Sequence, residues 1–441
     1  MTTGLSPSVH ADSVLDLEKE TESLHQQPNR IHHLSASSFT FVRNTHGTFN
    51  LRHPQRVRSI PPLAIGFLDI ANSGDFAANV FNHVPVPIYA IVLMAIGATV
   101  ALVMSSVALR DITRSWKNIR LLREEKVCLK SMDSDKSVEL EISHRDLWTE
   151  IFDRAGVDMA MGIGAFLIAV GTYMAIGGAN HKVWFASNLL SGYVGNALPA
   201  LYGLCNVGWS VHVWSRARKQ QSAATIHLHD DLVKQLLLNR IRKTQAHAGL
   251  TAIVCLVSGA LSMVTPTHWW PYPVLLVCGL AFIYSTWVYR NQIGYERSTL
   301  HGDNVLDESH LIAEIRFLHS VKTALQSGSD AWLTLQLADM STSDLLDFVV
   351  RCDLFEGFCC ALLQDSCLVN RCFHNLSTPT FMIGKHALLN LDKPEQIGEI
   401  HSFARSHIEK YALQTVSIHE RFLLECLGAC LLHRKGEDKD G

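Results

Sequence analysis

Five polar side chains, Asp158, Asn188, Asn196, Asn206 and His212, fall inside or at the mouths of stretches otherwise almost free of formal charge. A carboxyl in apolar surroundings can take up and release a proton, an imidazole can do so near neutral pH, and carboxamides can line a polar path. A charge left inside a membrane costs a few kcal/mol or more, so an ionisable residue there is a functional hypothesis in itself. Asp158 suits a proton relay, or an acid–base role beside His212 on a lipophilic metabolite. It equally suits a helix start, where the positive end of the dipole stabilises a carboxylate. With Pro199 interrupting the backbone ladder between them, Asn188, Asn196 and Asn206 can line a cavity, as broken helices do in transporters. They can also simply bond between helices, at about 0.6–2 kcal/mol per contact.

Other clusters carry less. His227-Leu228-His229-Asp230-Asp231 has metal-friendly residue types, but zinc takes three or four ligands and no others cluster by spacing, so a loop or helix start is expected. Cys426, Cys430 and His433 share a helical face, and Cys359, Cys360, Cys367 and Cys372 lie close together, without the paired spacing of zinc sites. Buried thiols acting as small hydrophobes account for them. Asn375-Leu376-Ser377 matches the glycosylation pattern but falls on the expected cytosolic side. Gly384-Lys385 lacks a preceding glycine loop, and there is no His-Glu-x-x-His helix, Gly-x-Ser-x-Gly elbow or paired acidic motif near a span. No catalytic residue, metal or cofactor is expected. Nor is nucleic acid expected as a partner, because the basic runs are short and flank apolar stretches, where anionic lipid explains them.

The elements that must position these residues are five apolar stretches, at about 86–109, 156–178, 185–213, 248–265 and 271–289. A hydrocarbon core about 30 Å thick takes about 20 helical residues, and a helix keeps its backbone hydrogen bonds within one segment. The expected fold class is therefore all-α: a polytopic transmembrane bundle of about five spans with a cytosolic helical C-terminal domain. The net charge of −3 hides a segregation of charge into the flanks and two loops. Arg110, Arg114, Lys117, Arg120, Arg123 and Lys126 follow the first span, and Arg216, Arg218, Lys219, Arg240, Arg242 and Lys243 lie between the third and fourth. Positive residues mark cytosolic loops, so five spans leave the C-terminus inside and the N-terminus outside. Arg43, Arg52, Arg56 and Arg58 then lie on the wrong side, though farther from the membrane. The N-terminus has no basic leader with an apolar core, so the first span is expected to direct insertion.

Residues 1–59, rich in Ser, Thr, His, Glu and Gln, read as a disordered tail. Residues 60–84 read as an interfacial segment, with Asp69 and short length counting against a further span at 60–71. Residues 85–298 make the transmembrane domain. After the first span, Leu109, Ile112, Trp116, Ile119 and Leu122 mark an amphipathic helix, either lying on anionic lipid or extending the span to dock on the C-terminal domain. Residues 130–147 read as a charged loop. Gly97, Ala101 and Ser105, and Ser191, Gly195 and Gly203, form small-residue faces that let helices approach, within the bundle or between copies of the chain. Trp269, Trp270 and Tyr272 on one side, and Trp287 and Tyr289 on the other, suit the two interfaces. From 299 to 441 the pattern is that of soluble helices, with faces at Leu311, Ile315, Leu318 and Val321, around 345–358, and at 408–433. Ser341-Thr342-Ser343-Asp344 is a start signal. No strand pattern of useful length is present. Most of the eleven cysteines fall in spans or in this flank, as reduced thiols would.

The run Gly66-Phe67-Leu68-Asp69-Ile70-Ala71-Asn72-Ser73-Gly74-Asp75, then the first span and Arg110-Asp111-Ile112-Thr113-Arg114-Ser115-Trp116, resembles uncharacterised integral membrane proteins of filamentous fungi. The resemblance covers the membrane region and implies no activity; for some such proteins it implies an accessory place in secondary-metabolite gene clusters. The first expectation for function is a non-enzymatic multi-pass protein of an endomembrane or the plasma membrane. Its cytosolic domain recruits a protein partner, and lipid surrounds its spans. The second is a small-solute transporter or channel lined by the polar third span, and the third an enzyme acting on a lipophilic metabolite.

Overall fold

The computed structural model describes residues 38–43, 49–51, 56–59, 75–81, 86–131, 137–177, 180–300, 307–327, 340–373, 380–391 and 393–440. Three short strands come first: β1 (Ser38–Arg43), β2 (Phe49–Leu51) and β3 (Arg56–Arg58). The short helix α1 (Phe76–Val80) precedes the long α2 (Ile88–Ser131). Helix α3 (Ser137–Thr149) runs through a π-helical turn, Glu150–Gly156, into α4 (Val157–Ala175). Helix α5 (His181–Ser187) runs likewise through Asn188–Val194 into α6 (Gly195–His227). Then come α7 (Asp231–Ser262), α8 (Pro271–Val288), a third π turn (Tyr289–Ile293) and the strand β4 (Glu296–Ser298). The C-terminal flank holds α9 (Glu308–Gln326), α10 (Thr342–Arg351), α11 (Phe355–Gln364), α12 (Ser366–Cys372), β5 (Thr380–Gly384), α13 (Lys385–Leu389) and α14 (Pro394–Asp440).

Among the described residues, four helical segments are long and apolar enough to cross a membrane: Ile88–Ser131, Ser137–Ala175, Asp231–Ser262 and Pro271–Ile293. The expected third span, 185–213, is helical from end to end but too polar to join them. The large apolar side chains turned outward recur at helical steps along these segments, as Val92, Ile96 and Val103 on α2, Ile163 and Phe166 on α4, and Val277, Leu280 and Tyr284 on α8. Inward, α2 packs on α4, α4 on α6, α6 on α7 and α7 on α8. Close approach rests on small residues. A Cβ on Gly164 of α4 would stand 2.8 Å from the Gly195 carbonyl oxygen, one on Gly203 of α6 2.9 Å from the Cys255 carbonyl oxygen, and one on Gly162 2.9 Å from Ala108. Gly195, Gly203 and Ser191 thus serve the packing expected of them. On α2 the buried stripe is Ala90, Met94, Ala98, Ala101 and Ala108, and Gly97 lies to one side of it.

The strands at 38–43, 49–51 and 56–58 differ from the disordered tail expected there. Phe39 and Phe41 alternate inward on β1, which pairs with β2 and, across the length of the chain, with β5 (Phe41 opposite Phe381). Strand β3 pairs with β4, Val57 opposite Arg297. Each strand is too short to pattern by itself; β1 and β3 take partners hundreds of residues away, β5 and β4, and β2 pairs with β1. The loop expected at 130–147 is largely helix α3, whose buried stripe (Glu139, Ile142, Ser143, Asp146, Leu147) mixes charge with apolar residues. The helix after the first span is continuous with α2. Its buried face is Asp111, Ser115, Asn118, Ile119, Leu122, Glu125 and Leu129, whereas Leu109 and Trp116 are exposed. Tyr272 is buried rather than at an interface. Residues 1–37, the stretch 60–74 and Asn375-Leu376-Ser377 lie outside the described residues.

The flank begins its helices where expected: the Ser341 hydroxyl accepts from the Asp344 amide at 3.2 Å, and Leu311, Ile315, Leu318 and Val321 bury one face of α9 against α14. Helix α14 then lies along α9 and reaches α6, α3, α7 and β4. Beneath the bundle Arg297 is fully buried: its Nη1 and Nη2 donate to the two Glu125 carboxylate oxygens at 2.7 and 3.0 Å, and its Nε to Asp146 at 3.0 Å. Tyr295 donates to the other Asp146 oxygen at 2.5 Å, and the Leu300 amide to Glu125 at 2.7 Å, so the carboxylates are well satisfied.

Two predictions follow from packing and charge. Arg297→Met strands two buried carboxylates and should cost about 3–5 kcal/mol, read as thermal unfolding of the detergent-purified chain, with part regained on adding Glu125→Gln and Asp146→Asn. An unchanged melting temperature in the single variant counts against the lock. Gly164→Ala should destabilise by about 1–3 kcal/mol, because a backbone oxygen cannot yield. Gly249→Ala, with nothing within 4 Å of the added methyl, serves as the control and should be neutral or better.

Candidate functional site

Helix α6 sets its polar residues inward, with Ser191 just before it and Asn196, Asn206, Ser210 and Gln220 along it all buried. Two local features make this segment irregular: the π turn over Asn188–Val194, and Pro199, which cannot donate to the Gly195 carbonyl one turn back. Asn196 Nδ2 donates to the Gly192 carbonyl at 3.1 Å and to Thr265 Oγ1 at 3.2 Å. Asn196 also reaches Asp75, whose carboxylate accepts from Tyr272 at 3.0 Å and from Asn79 at 2.8 Å. Burial pushes the Asp75 carboxyl up to about 7 against the hydrogen bonds from Tyr272, Asn79 and Asn196. This cluster sits at the end of the bundle away from the C-terminal flank.

A second polar locus lies at the flank end, between α2, the first π turn and α4. Arg154 donates to Asp111 at 3.3 and 3.5 Å, and its Nη1 lies 3.3 Å from Glu150 Oε1. Asp158 is fully buried in the field of Asp111, Arg154 and Glu150. Neither of its oxygens meets a donor, and Ser115 Oγ and Tyr202 OH close by are also buried without a hydrogen bond. Glu150, Arg154 and Asp158 recur every fourth position, so one helical face carries all three.

Beside this locus two adjoining cavities, of about 60 and about 70 Å³, share Thr149, Asp153, His247, Thr251 and Tyr289 as lining. Asn206 and Arg154 border the first, and Ser210, Arg145, Arg216, Arg240 and Glu425 the second. A water needs about 10–15 Å³ on this measure, so the chamber holds a few water molecules rather than a drug-sized ligand. Trp209 donates to Asp153 at 3.1 Å and stacks between Phe152 and His212. Glu425 on α14 caps the chamber: it pairs with Arg145 of α3, with Arg240 of α7 at 3.1 Å, and faces Arg216 of α6 at 3.8 Å.

The five residues singled out by sequence are thus dispersed. Asn196 belongs to the Asp75 cluster, Asn206 and His212 to the chamber and Asp158 to the Arg154 locus; Asn188 is half-buried in the π turn, and His212, stacked on Trp209, is also exposed. Asp75, Asp111, Glu150, Asp153, Arg154 and Glu425 were missed. The four-residue recurrence of Glu150 and Arg154 with Asp158 could have found two of them, but Asp75 and Glu425 depend on contacts across the whole chain. Asp230 starts α7 by accepting from Val233, as a helix start would. None of the eleven cysteines is joined in a disulfide. Among the described residues no group of three or more His, Cys, Asp or Glu is placed to hold a metal ion.

The chain is a helical protein with four segments of membrane-spanning length and composition and a polar network at one end of them. No protein-family model, curated protein or solved structure matches it.

Glu425 supplies a pH dependence. Burial alone would raise its carboxyl, but Arg145, Arg240 and Arg216 together hold it well below the usual carboxylate range. The folded group therefore gives up its proton more readily than the unfolded one. Its contribution to stability is full above about pH 4.3 and shrinks as pH falls below that value toward the folded pKa. In thermal unfolding of the purified chain, Glu425→Gln should melt below the wild type at neutral pH, with the gap closing in acid; a gap that stays constant argues against the cap.

Proposed function

We propose that the protein is a multi-pass membrane protein that passes a very small polar solute through the chamber at the flank end of its bundle. Five spans, counting the polar α5–α6 segment with the four apolar ones, and the basic residues after the first and third spans support a C-terminal flank on the cytosolic side. The observation that carries the transport part is the chamber itself. It is polar on α6, bordered by Asn206 and Asp153, and closed by a side chain from α14, inside a bundle whose outer faces are apolar. Broken helices beside a polar cavity are the means by which transporters bind solutes within a membrane.

Recruitment of a partner by residues 299–441 draws less support. That flank is tied to the bundle through Glu425 and, among its described residues, presents few large apolar side chains to solvent, chiefly Met382, Tyr411 and Leu413. The likeness to integral membrane proteins of filamentous fungi supports the membrane assignment alone.

The test uses the purified full chain in lipid vesicles loaded with a pH-sensitive dye, under a potassium diffusion potential. Wild-type vesicles should pass protons faster than empty ones. Asn206→Leu should bring the rate back to that of empty vesicles while the melting temperature stays within a few degrees. Wild-type flux equal to that of empty vesicles, or full flux in the folded variant, overturns the proposal.

A further inference from the structure

We propose that Asp111 and Asp158 form a proton-binding site, holding one exchangeable proton between their carboxyl groups with Arg154 beside them. The site deepens the transport function proposed above, and rests on it for the use made of the proton, but its existence can be measured without any flux.

Asp158 is fully buried, and neither oxygen accepts from any donor. It stands within hydrogen-bond reach of Asp111, which is itself buried and held by Arg154 at 3.3 and 3.5 Å. Arg154 also faces Glu150 at 3.3 Å, and Asp158 stands in the same field without touching the guanidinium. Two ionised carboxylates in contact, away from water, repel strongly, and one guanidinium cannot offset three negative charges. The inexpensive state is the one in which a proton occupies one carboxyl and is donated to the other, which gives the orphaned Asp158 oxygen its partner. Arg154 keeps the accepting member ionised.

The groups that face the pair come from every neighbouring element. Ser115 lies on α2, Glu150 and Arg154 on the π turn, and Tyr202 on α6, with Asp153 beyond it toward the chamber. The Tyr202 hydroxyl and Ser115 Oγ, both buried without a hydrogen bond, are the polar atoms available to a proton moving between chamber and pair. The transfer is a simple exchange: a hydronium ion reaching the chamber gives its proton to the carboxylate pair and becomes water, and the pair returns the proton to water, re-forming hydronium. A metal ion is a poorer occupant, since no three ligating side chains among the described residues converge.

Infrared difference spectroscopy of the full chain in lipid nanodiscs tests this. At neutral pH the wild type should show a protonated-carboxyl stretch, shifted in heavy water, of which one component is lost equally in Asp111→Asn and in Asp158→Asn but kept in Glu150→Gln. Other buried carboxyls, Asp75 among them, contribute bands that both aspartate variants retain, and any band of Glu150 itself is lost only in Glu150→Gln. No protonated-carboxyl band in the wild type, or a spectrum unmoved by both aspartate substitutions, overturns the site, and the wild-type arm needs no variant to fold. Loss of the wild-type component on adding sodium or potassium chloride makes the occupant a monovalent cation and overturns the proton assignment. A component that behaves as stated in a chain that passes no protons keeps the site and removes the transport function; flux without the component does the reverse.

Discussion

The charged layer beneath the bundle is the constraint on which the rest depends. Arg297 has no contact with water, yet it reaches Glu125 on α2 and Asp146 on α3 through its whole guanidinium fork. Tyr295, two residues before it, carries the layer onward by bonding Asp146 and accepting from Arg145, and Arg145 in turn meets Glu425 on α14. Arg240 on α7 adds a bond to the Ile293 carbonyl, and so ties the end of the last apolar segment to the same layer. Apolar residues of similar volume could fill such a layer at equal or lower free energy, so its presence is weak support for stability as such. Its consequence is registry: each guanidinium has its carboxylate at one relative height of the helices, and a slip by one turn strands a buried charge.

That layer also explains why the flank is helical yet not free-standing. Helix α14 is much longer than the 408–433 segment its apolar pattern suggests, running Pro394–Asp440. The added N-terminal turns continue the buried stripe through Ile400 and Ala404, at helical steps that the sequence reading passed over, while the last turns are polar and charged. Polar contacts add to the N-terminal turns: Gln396 donates to the Arg371 carbonyl and His401 meets the Met340 carbonyl.

The legible and illegible parts of the fold divide on the same principle. The apolar segments could be read because length and hydropathy are local properties, and the polar character of 185–213 was equally plain. The caps at Ser341 and Asp230 are local too. Strands β1 and β3 could not be read, since a six-residue and a three-residue strand are stabilised by partners at 380–384 and 296–298, and a sequence window sees neither. The same holds for the site. Asn196 and Asn206 stood out as polar residues in an apolar setting, but Asp111 sits among arginines and a lysine in a stretch that looks like an ordinary solvated helix. Only the turn of α2 toward α4 converts it from a surface aspartate into a buried one.

Placing the two polar loci on the bundle limits how it can move. Asp75, Asn79, Tyr272, Asn196 and Thr265 close the far end with direct hydrogen bonds, while the flank end has the chamber and the unpartnered Asp158. The backbone between them is weakest on α5–α6, where the π turn and Pro199 remove regular ladder bonds within a few residues of each other. The glycine contacts argue that this segment cannot bend by rolling on α4: Gly164 and Gly171 already lie against the Gly195 carbonyl and Ser191 with no room for a methyl. A change that opens the chamber therefore falls on the C-terminal part of α6, beyond the contact of Gly203 with the Cys255 carbonyl of α7. Glu425 opposes that change, because it holds Arg216 of α6, Arg240 of α7 and Arg145 of α3 to a single carboxylate. The element that fixes the register of the helices is thus also the one that any opening of the chamber has to disturb.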